Sequence, residues 1–188
     1  FILYINIFLL LLSCKSQVPT NGAQQHSLTS SRVAFYNVEN LFDTKNDRKK
    51  KDEEFTPKSE KQWTKERYQT KLTNIAKVIA GMELPSLVGL CEVENSRVLK
   101  DLAKQPALQA AKYGFVHHES PDVRGIDVAL LYSKTDFKVL EENTIAINFP
   151  ESIVKNYTTR DILHVKGLYR GNTSMHIFVN HWPSRYGG

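Results

Sequence analysis

Cysteine is scarce in this chain, whose 188 residues contain two, Cys14 and Cys91. A disulfide scaffold is excluded, and Cys91 lies inside an apolar run where packing rather than nucleophilic chemistry is the expected role. No group of His and Cys stands at zinc-ligand spacing, and neither a glycine-rich phosphate loop nor Gly-x-Ser-x-Gly occurs. A structural zinc module, a P-loop nucleotide site and a serine-hydrolase elbow are thereby set aside. Internal repeats and low-complexity tracts are lacking. The apolar run Phe1–Leu12 is broken at Asn6 and is too short to cross a bilayer comfortably. Neither an initiator Met nor a basic segment precedes Phe1, so the natural chain is expected to begin earlier.

What is present is ordinary globular material, 41% hydrophobic and 24% charged, enough for one domain with its own core or for part of a larger one. The formal net charge of +5 biases the chain toward anionic partners such as phosphates, nucleic acid or lipid headgroups. Much of the excess lies in Lys45–Lys61, interleaved with Asp47, Asp52, Glu53, Glu54 and Glu60, which reads as a solvated loop. Phe1–Leu12 has the character of a secretory hydrophobic region, and Leu11-Leu12-Ser13-Cys14 resembles a bacterial lipobox. Residues 1–14 are therefore expected to be a signal peptide with Cys14 as the lipidation site, an ordinary signal peptide being the alternative. Residues 15–31 are polar, carry Pro19 and Asn21-Gly22, and predict a flexible tether to a domain over 32–188. The expected location is the bacterial cell envelope, lipid-anchored on the periplasmic side or at the surface. No protein partner is evident.

The domain opens with a predicted strand at Arg32–Val38, followed by a charged, aperiodic loop over Leu41–Lys61. A helix is predicted from Thr64 to Ala80, with Tyr68, Leu72, Ile75 and Ile79 on one face, Thr64 as N-cap and Gly81 at the C-terminal cap. After Pro85 comes the β-branched, apolar run Leu87–Cys91, ending in Glu92 and Glu94. Strand alternation predicts that both carboxylates face the same way. Ser96–Leu108 predicts a second helix bearing Val98, Leu99 and Leu102. Beyond it the texture is β, with strands expected at Tyr113–His118 and Ile126–Tyr132 around a Pro121–Gly125 turn. A further strand is expected at Phe137–Ile147, broken near Glu142-Asn143. Asp161–Tyr169 and Ser174–Val179 predict a hairpin about Arg170–Thr173. The fold class is α/β, of the α+β kind.

Polar residues recur where these strands end: Asn37 and Glu39, Glu92 and Glu94, Arg124 and Asp127, Arg160, and Asn180 with His181. Singly each is what a cap or a solvated side chain supplies. Strands of one sheet, however, deliver their ends to one rim, and together these groups suit phosphate-ester chemistry. Hard carboxylate oxygens at Glu92 and Glu39 can hold Mg²⁺, Mn²⁺ or Ca²⁺, Arg160 can grip a phosphate through its planar fork, and His181 can donate to a phosphoryl oxygen or a leaving group.

Five segments then carry a resemblance. They are Asn37-Val38-Glu39-Asn40-Leu41-Phe42, Leu90-Cys91-Glu92-Val93-Glu94-Asn95, Arg124-Gly125-Ile126-Asp127-Val128-Ala129-Leu130-Leu131-Tyr132, Thr159-Arg160-Asp161-Ile162-Leu163 and Asn180-His181-Trp182-Pro183-Ser184-Arg185. In this order they resemble the endonuclease/exonuclease/phosphatase superfamily in its secreted bacterial form. The resemblance implies a DNase I-like four-layer sandwich, two mixed β-sheets flanked by helices, with a divalent-metal site at their common edge. By it Glu92 is the principal metal ligand, joined by Glu39 where many relatives have Asp. His181, Asn37, Arg160 and Asp127 take catalytic or supporting positions, and Arg185 and Arg124 are substrate contacts. Glu94 is expected to hold the turn before Ser96. The cofactor implied is Mg²⁺, and the partner is nucleic acid or another phosphoester, with phosphatase or phospholipase-type hydrolysis and a non-catalytic surface lipoprotein as alternatives. The superfamily's later Gly-Asp-x-Asn and Ser-Asp-His motifs have no counterpart, so this polypeptide is expected to be a fragment, inactive alone.

Overall fold

The computed structural model describes residues 31–148 and 158–182. The expected signal peptide, Cys14, nearly all of the tether, and Arg185 lie outside the described residues.

Strand β1 (Val33–Leu41) and strand β2 (Leu87–Val93) run parallel, with helix α1 (Lys65–Gly81) between them in the chain. Helix α2 (Ser96–Ala103) follows, then β3 (Tyr113–His117) and β4 (Asp127–Ser133), which complete a sheet in the order β1-β2-β4-β3. Strands β5 (Phe137–Ile145), β6 (Ile162–Tyr169) and β7 (Thr173–Val179) form a second, antiparallel sheet in chain order.

Burial explains the textures of the two sheets. The first is covered on both faces: Val88, Leu90, Ala129 and Leu131 meet the apolar faces of α1 and α2. Leu87, Cys91, Val128 and Leu130 meet Phe137, Leu163, Val165 and Val179 of the second sheet. Hence β2 and β4 read as unbroken apolar runs. Each fully buried Leu or Ile contributes about 1.5–3 kcal/mol. The second sheet packs one face, and β6 accordingly alternates between buried and half-buried residues. The described residues thus supply helices, sheet and sheet as stacked layers. Cys91 is a core residue, and burial pushes its thiol up to about 11.

Several boundaries differ from expectation for identifiable reasons. Thr64 caps α1 as predicted, accepting from the Arg67 amide, but Gly81 is its last helical residue. The left-handed turn falls on Glu83 and Leu84 instead. Helix α2 stops at Ala103 rather than Leu108, because Pro106, which lacks an amide proton, starts a separate 3-10 turn over Pro106–Ala111. In β5 the irregularity lies between Val139 and Glu141, not at Glu142-Asn143.

The Lys45–Lys61 excursion is anchored, not merely solvated. Phe42 and Phe55 stack with ring centroids 4.0 Å apart, and the Trp63 indole donates to the Phe42 carbonyl at 3.0 Å. The Lys50 ammonium donates to the Ser120 and Asp122 carbonyls at 2.9 and 3.0 Å, tying this loop to the Pro121–Gly125 turn. Among the described residues no helix is long and apolar enough to cross a membrane.

Candidate active site at the strand exits

The exits of β1 and β2 are irregular together. Asn37 pairs with Cys91 and Leu41 with Val93, so four steps on β1 match two on β2; across β2 and β4, Glu92 is the extra residue of a bulge. Glu39, Asn40 and Glu92 all take positive φ, at 53°, 62° and 64°. Three neighbouring non-glycine residues in the left-handed region are costly and persist only where the surroundings hold them. Bulges re-aim side chains, and this one separates the two carboxylates that simple alternation places together.

Glu92 is the centre of the arrangement. Its Oε1 accepts from the Asn37 Nδ2 amide and its Oε2 from the Asn40 backbone N–H, each at 3.0 Å. His181 Nε2 lies 3.6 Å from Oε1. Asn37 is itself fixed, because its Oδ1 accepts from the Glu39 N–H at 2.9 Å. Burial holds the His181 imidazole below its usual pKa, the nearby Arg160 charge adds to this, and Glu92 opposes it. The ring is therefore neutral at pH 7.

Glu94 leaves the site. It is buried, its Oε2 accepts from the Asp43 N–H at 2.6 Å, and its own N–H donates to the Leu41 carbonyl. The turn before Ser96 is held instead by Asn95, whose Oδ1 accepts from the Arg97 and Val98 amides. Burial, with Asp43 and Asp52 nearby, pushes the Glu94 carboxyl up to about 8 although the Asp43 amide opposes it.

The remaining predicted residues divide. Arg160, 3% exposed, turns its guanidinium to the protein: Nη1 donates to Asp122 Oδ2 at 3.0 Å, Nε and Nη2 to the His181 carbonyl at 3.2 and 2.9 Å, and Nη2 to the Trp182 carbonyl. It thereby fixes the backbone that carries the imidazole. Arg124 is exposed beside the site, and its charge is felt by His181. Asp127 is fully buried at the start of β4, where it accepts from the Ser120 N–H at 3.0 Å and meets His117 Nε2 at 3.2 Å. With Glu119 these form a three-residue group of ligand-type side chains among the described residues, separate from Glu92. Glu39 acts through its backbone, and among the described residues its carboxylate has no hydrogen-bond or ion-pair partner; its carbonyl accepts from Lys71 Nζ.

Sequence reasoning missed Asp122 and Asn40 as parts of the site. Asp122 looked like a turn residue in Pro121–Gly125, and nothing local signals that it is the buried counterion of Arg160. Asn40 contributes only its amide, which any residue type supplies.

Residues 32–188 match the Endonuclease/Exonuclease/phosphatase family. The chain belongs to that family. No individually curated protein matches it. Among solved structures, the chain is similar to humanized D. rerio TDP2, at 15% identity over 77% of this chain and 44% of that one, TM-score 0.46. The human Nocturnin catalytic domain with bound sulfate is similar at 17% identity over 63% and 44%, TM-score 0.47. ANGEL2, described as a 2',3'-cyclic phosphatase, is similar at 16% identity over 59% and 31%, TM-score 0.45. The chain spans less than half the length of each of these proteins. Within this family member, Asn37, Glu92 and His181 meet at one rim, Arg160 stands behind them, and Asp127 is buried against His117 and the Ser120 amide.

Proposed function

We propose that this chain carries the Glu92 half of a metal-dependent phosphodiesterase site that acts on nucleic acid. The observation that carries the proposal is the Glu92 carboxylate, held in a strained bulge with one donor on each oxygen and a neutral imidazole beside it. Each oxygen keeps lone-pair capacity after its single hydrogen bond. A half-buried carboxylate with open capacity fits a hard cation such as Mg²⁺, which binds through one or two carboxylates and completes its shell with water and substrate oxygens. Glu92 would hold that ion, and the neighbouring Glu39 acts through its backbone N–H, which fixes Asn37. When bound, the ion polarises a phosphoryl oxygen and offsets charge that builds in the transition state.

The chain's own residues do the rest. Asn37 and the Asn40 amide fix the direction of the Glu92 carboxylate. His181, neutral at pH 7, donates one hydrogen bond to a phosphoryl oxygen or to the leaving group. Arg160 and Asp122 hold His181 in place from behind, and the exposed Arg124 guanidinium offers a phosphate contact. Trp182, 61% exposed at the same rim, offers an aromatic face to a base.

The test uses the gene product in full, assayed with and without Mg²⁺ or Mn²⁺ against DNA, RNA, a small phosphodiester, a phosphomonoester and a phospholipid. Metal-dependent cleavage of nucleic acid that Glu92→Gln removes is the expected result. Preference for the phospholipid or the phosphomonoester reassigns the substrate, and no hydrolysis of any of them leaves a non-catalytic surface lipoprotein. Acylation of Cys14, with the domain tethered to the envelope, completes the proposal. Cys14→Ser is expected to move the protein from the membrane to the soluble fraction.

A further inference from the structure

The end of the first sheet opposite Glu92 carries a second concave surface. Register fixes its place: Val93 at the rim pairs with Asp127, whereas Leu87 at the other end of β2 pairs with Tyr132, whose partner on β3 is Gly114. With 7 residues in β2 the two ends lie about 20 Å apart.

Here α2, the 3-10 turn, β3 and β4 line a groove of about 630 Å³. Every charged residue lining it is a lysine, Lys100, Lys104, Lys112 and Lys134. None of the four forms an ion pair with a described residue, unlike Lys61 with Glu54 and Lys166 with Glu141 elsewhere. The half-buried Phe115 and Tyr132 also line it, from opposite faces of the sheet: Phe115 packs on the helix side and Tyr132 on the side of the second sheet. A Cβ at position 114 would come within 2.5 Å of the Tyr132 ring, so Gly114 is what lets that ring lie across β3.

Four unpaired cations around recessed aromatic rings match one kind of ligand well. Ammonium groups neutralise successive phosphates, releasing their counterions, and a ring face accepts an unstacked base. A membrane surface calls for apolar side chains that protrude into the headgroup region, whereas both rings here are half-buried. We propose that this groove binds single-stranded nucleic acid, with phosphates on the lysines and a base against Tyr132, whose ring lies across β3 at Gly114. It holds a strand at the end of the sheet remote from Glu92, and it does so whether or not Glu92 cuts.

Fluorescence anisotropy with a labelled oligothymidylate, in EDTA and over a range of salt, tests this without cleavage. The wild type is expected to bind with log K falling linearly in log salt. Lys104→Ala/Lys134→Ala should weaken binding and reduce that slope by about 1.4, the contribution of two phosphate contacts on a single strand. Tyr132→Leu should lower affinity by about 5- to 100-fold with the slope unchanged, as loss of one stacked base does. If Tyr132→Leu melts more than about 5 °C below wild type, Lys100→Ala/Lys112→Ala replaces it, with a further loss of affinity and of slope expected. Lys61→Ala, which removes a lysine outside the groove that is already paired with Glu54, is expected to bind as the wild type does. Unchanged affinity in the lysine and aromatic variants would overturn the proposal. So would a duplex binding as tightly as the single strand, displacement by millimolar inorganic phosphate alone, or tighter capture by phosphatidylglycerol vesicles through the same lysines.

Discussion

Glu92 and Glu94 stand two positions apart at the end of one strand, yet their surroundings have little in common. Glu92 sits at a left-handed bulge, half-buried, with Asn37 and Asn40 on its oxygens and His181 alongside. Glu94 lies in the interior, where it fastens Asp43 to the end of β2 and its carboxyl is pushed up to about 8. The first site uses a carboxylate that stays reachable from solvent. The second uses the same group as a clip between two chain segments, and burial works against its charge. The comparison teaches that one extra residue in a strand can sort identical side chains into chemistry and architecture.

That contrast can be broken experimentally, most sharply at Glu92. Glu92→Gln in the full gene product should cut metal-dependent turnover by roughly a thousandfold, about 4 kcal/mol, while the melting temperature holds. Asp122→Ala comes next: leaving Arg160 buried without its counterion should cost about 3–5 kcal/mol in a urea titration and release the His181 backbone. Asn37→Ala should lower turnover or metal affinity by about 10- to 100-fold, since it removes the group that orients Glu92.

Glu94→Gln probes the other side, and its effect lies in the pH dependence of stability. The folded carboxyl titrates near 8 against an ordinary 4.5, so its stabilising contribution is complete below about 4.5. It is lost as pH rises toward 8. Melting temperatures of the wild type should therefore fall by a few degrees, about 3–8 °C, between those limits, and Glu94→Gln should flatten the decline. Equal pH slopes in the two proteins would remove Glu94 as the titrating clip. Glu39→Ala should have the smallest effect, a change of less than about threefold in turnover, because the position acts mainly through its backbone N–H. A large loss would show that its carboxylate joins Glu92 on the ion.

Much of this was legible in the residues. Unbroken apolar runs at Leu87–Cys91 and Val128–Leu131 announce strands buried on both faces, and the spacing of Tyr68, Leu72, Ile75 and Ile79 announces α1. Both signals arise from local periodicity, which burial imposes on neighbours in sequence. The rim motifs around Asn37, Glu92 and His181 were likewise visible, because strand ends of one sheet collect at one edge. The bulge was not visible, since alternation assumes one residue per ladder step and the extra residue at Glu92 is paid for by contacts from β1.

What the sequence by itself determined is the set of elements, their order, and the polar groups available at the exits. Only the tertiary structure decided what those groups do. Arg160 looked like a phosphate ligand until Asp122 and the His181 carbonyl were seen to hold it. Lys50 looked solvated until it met the Ser120 and Asp122 carbonyls. Four lysines scattered over α2, the segment after it and the turn after β4 became one groove. The physical reason is common to all three. A charge buried or gathered by the fold takes its role from partners 21 to 72 positions away for Arg160 and Lys50, and such partners leave no periodic trace in the chain.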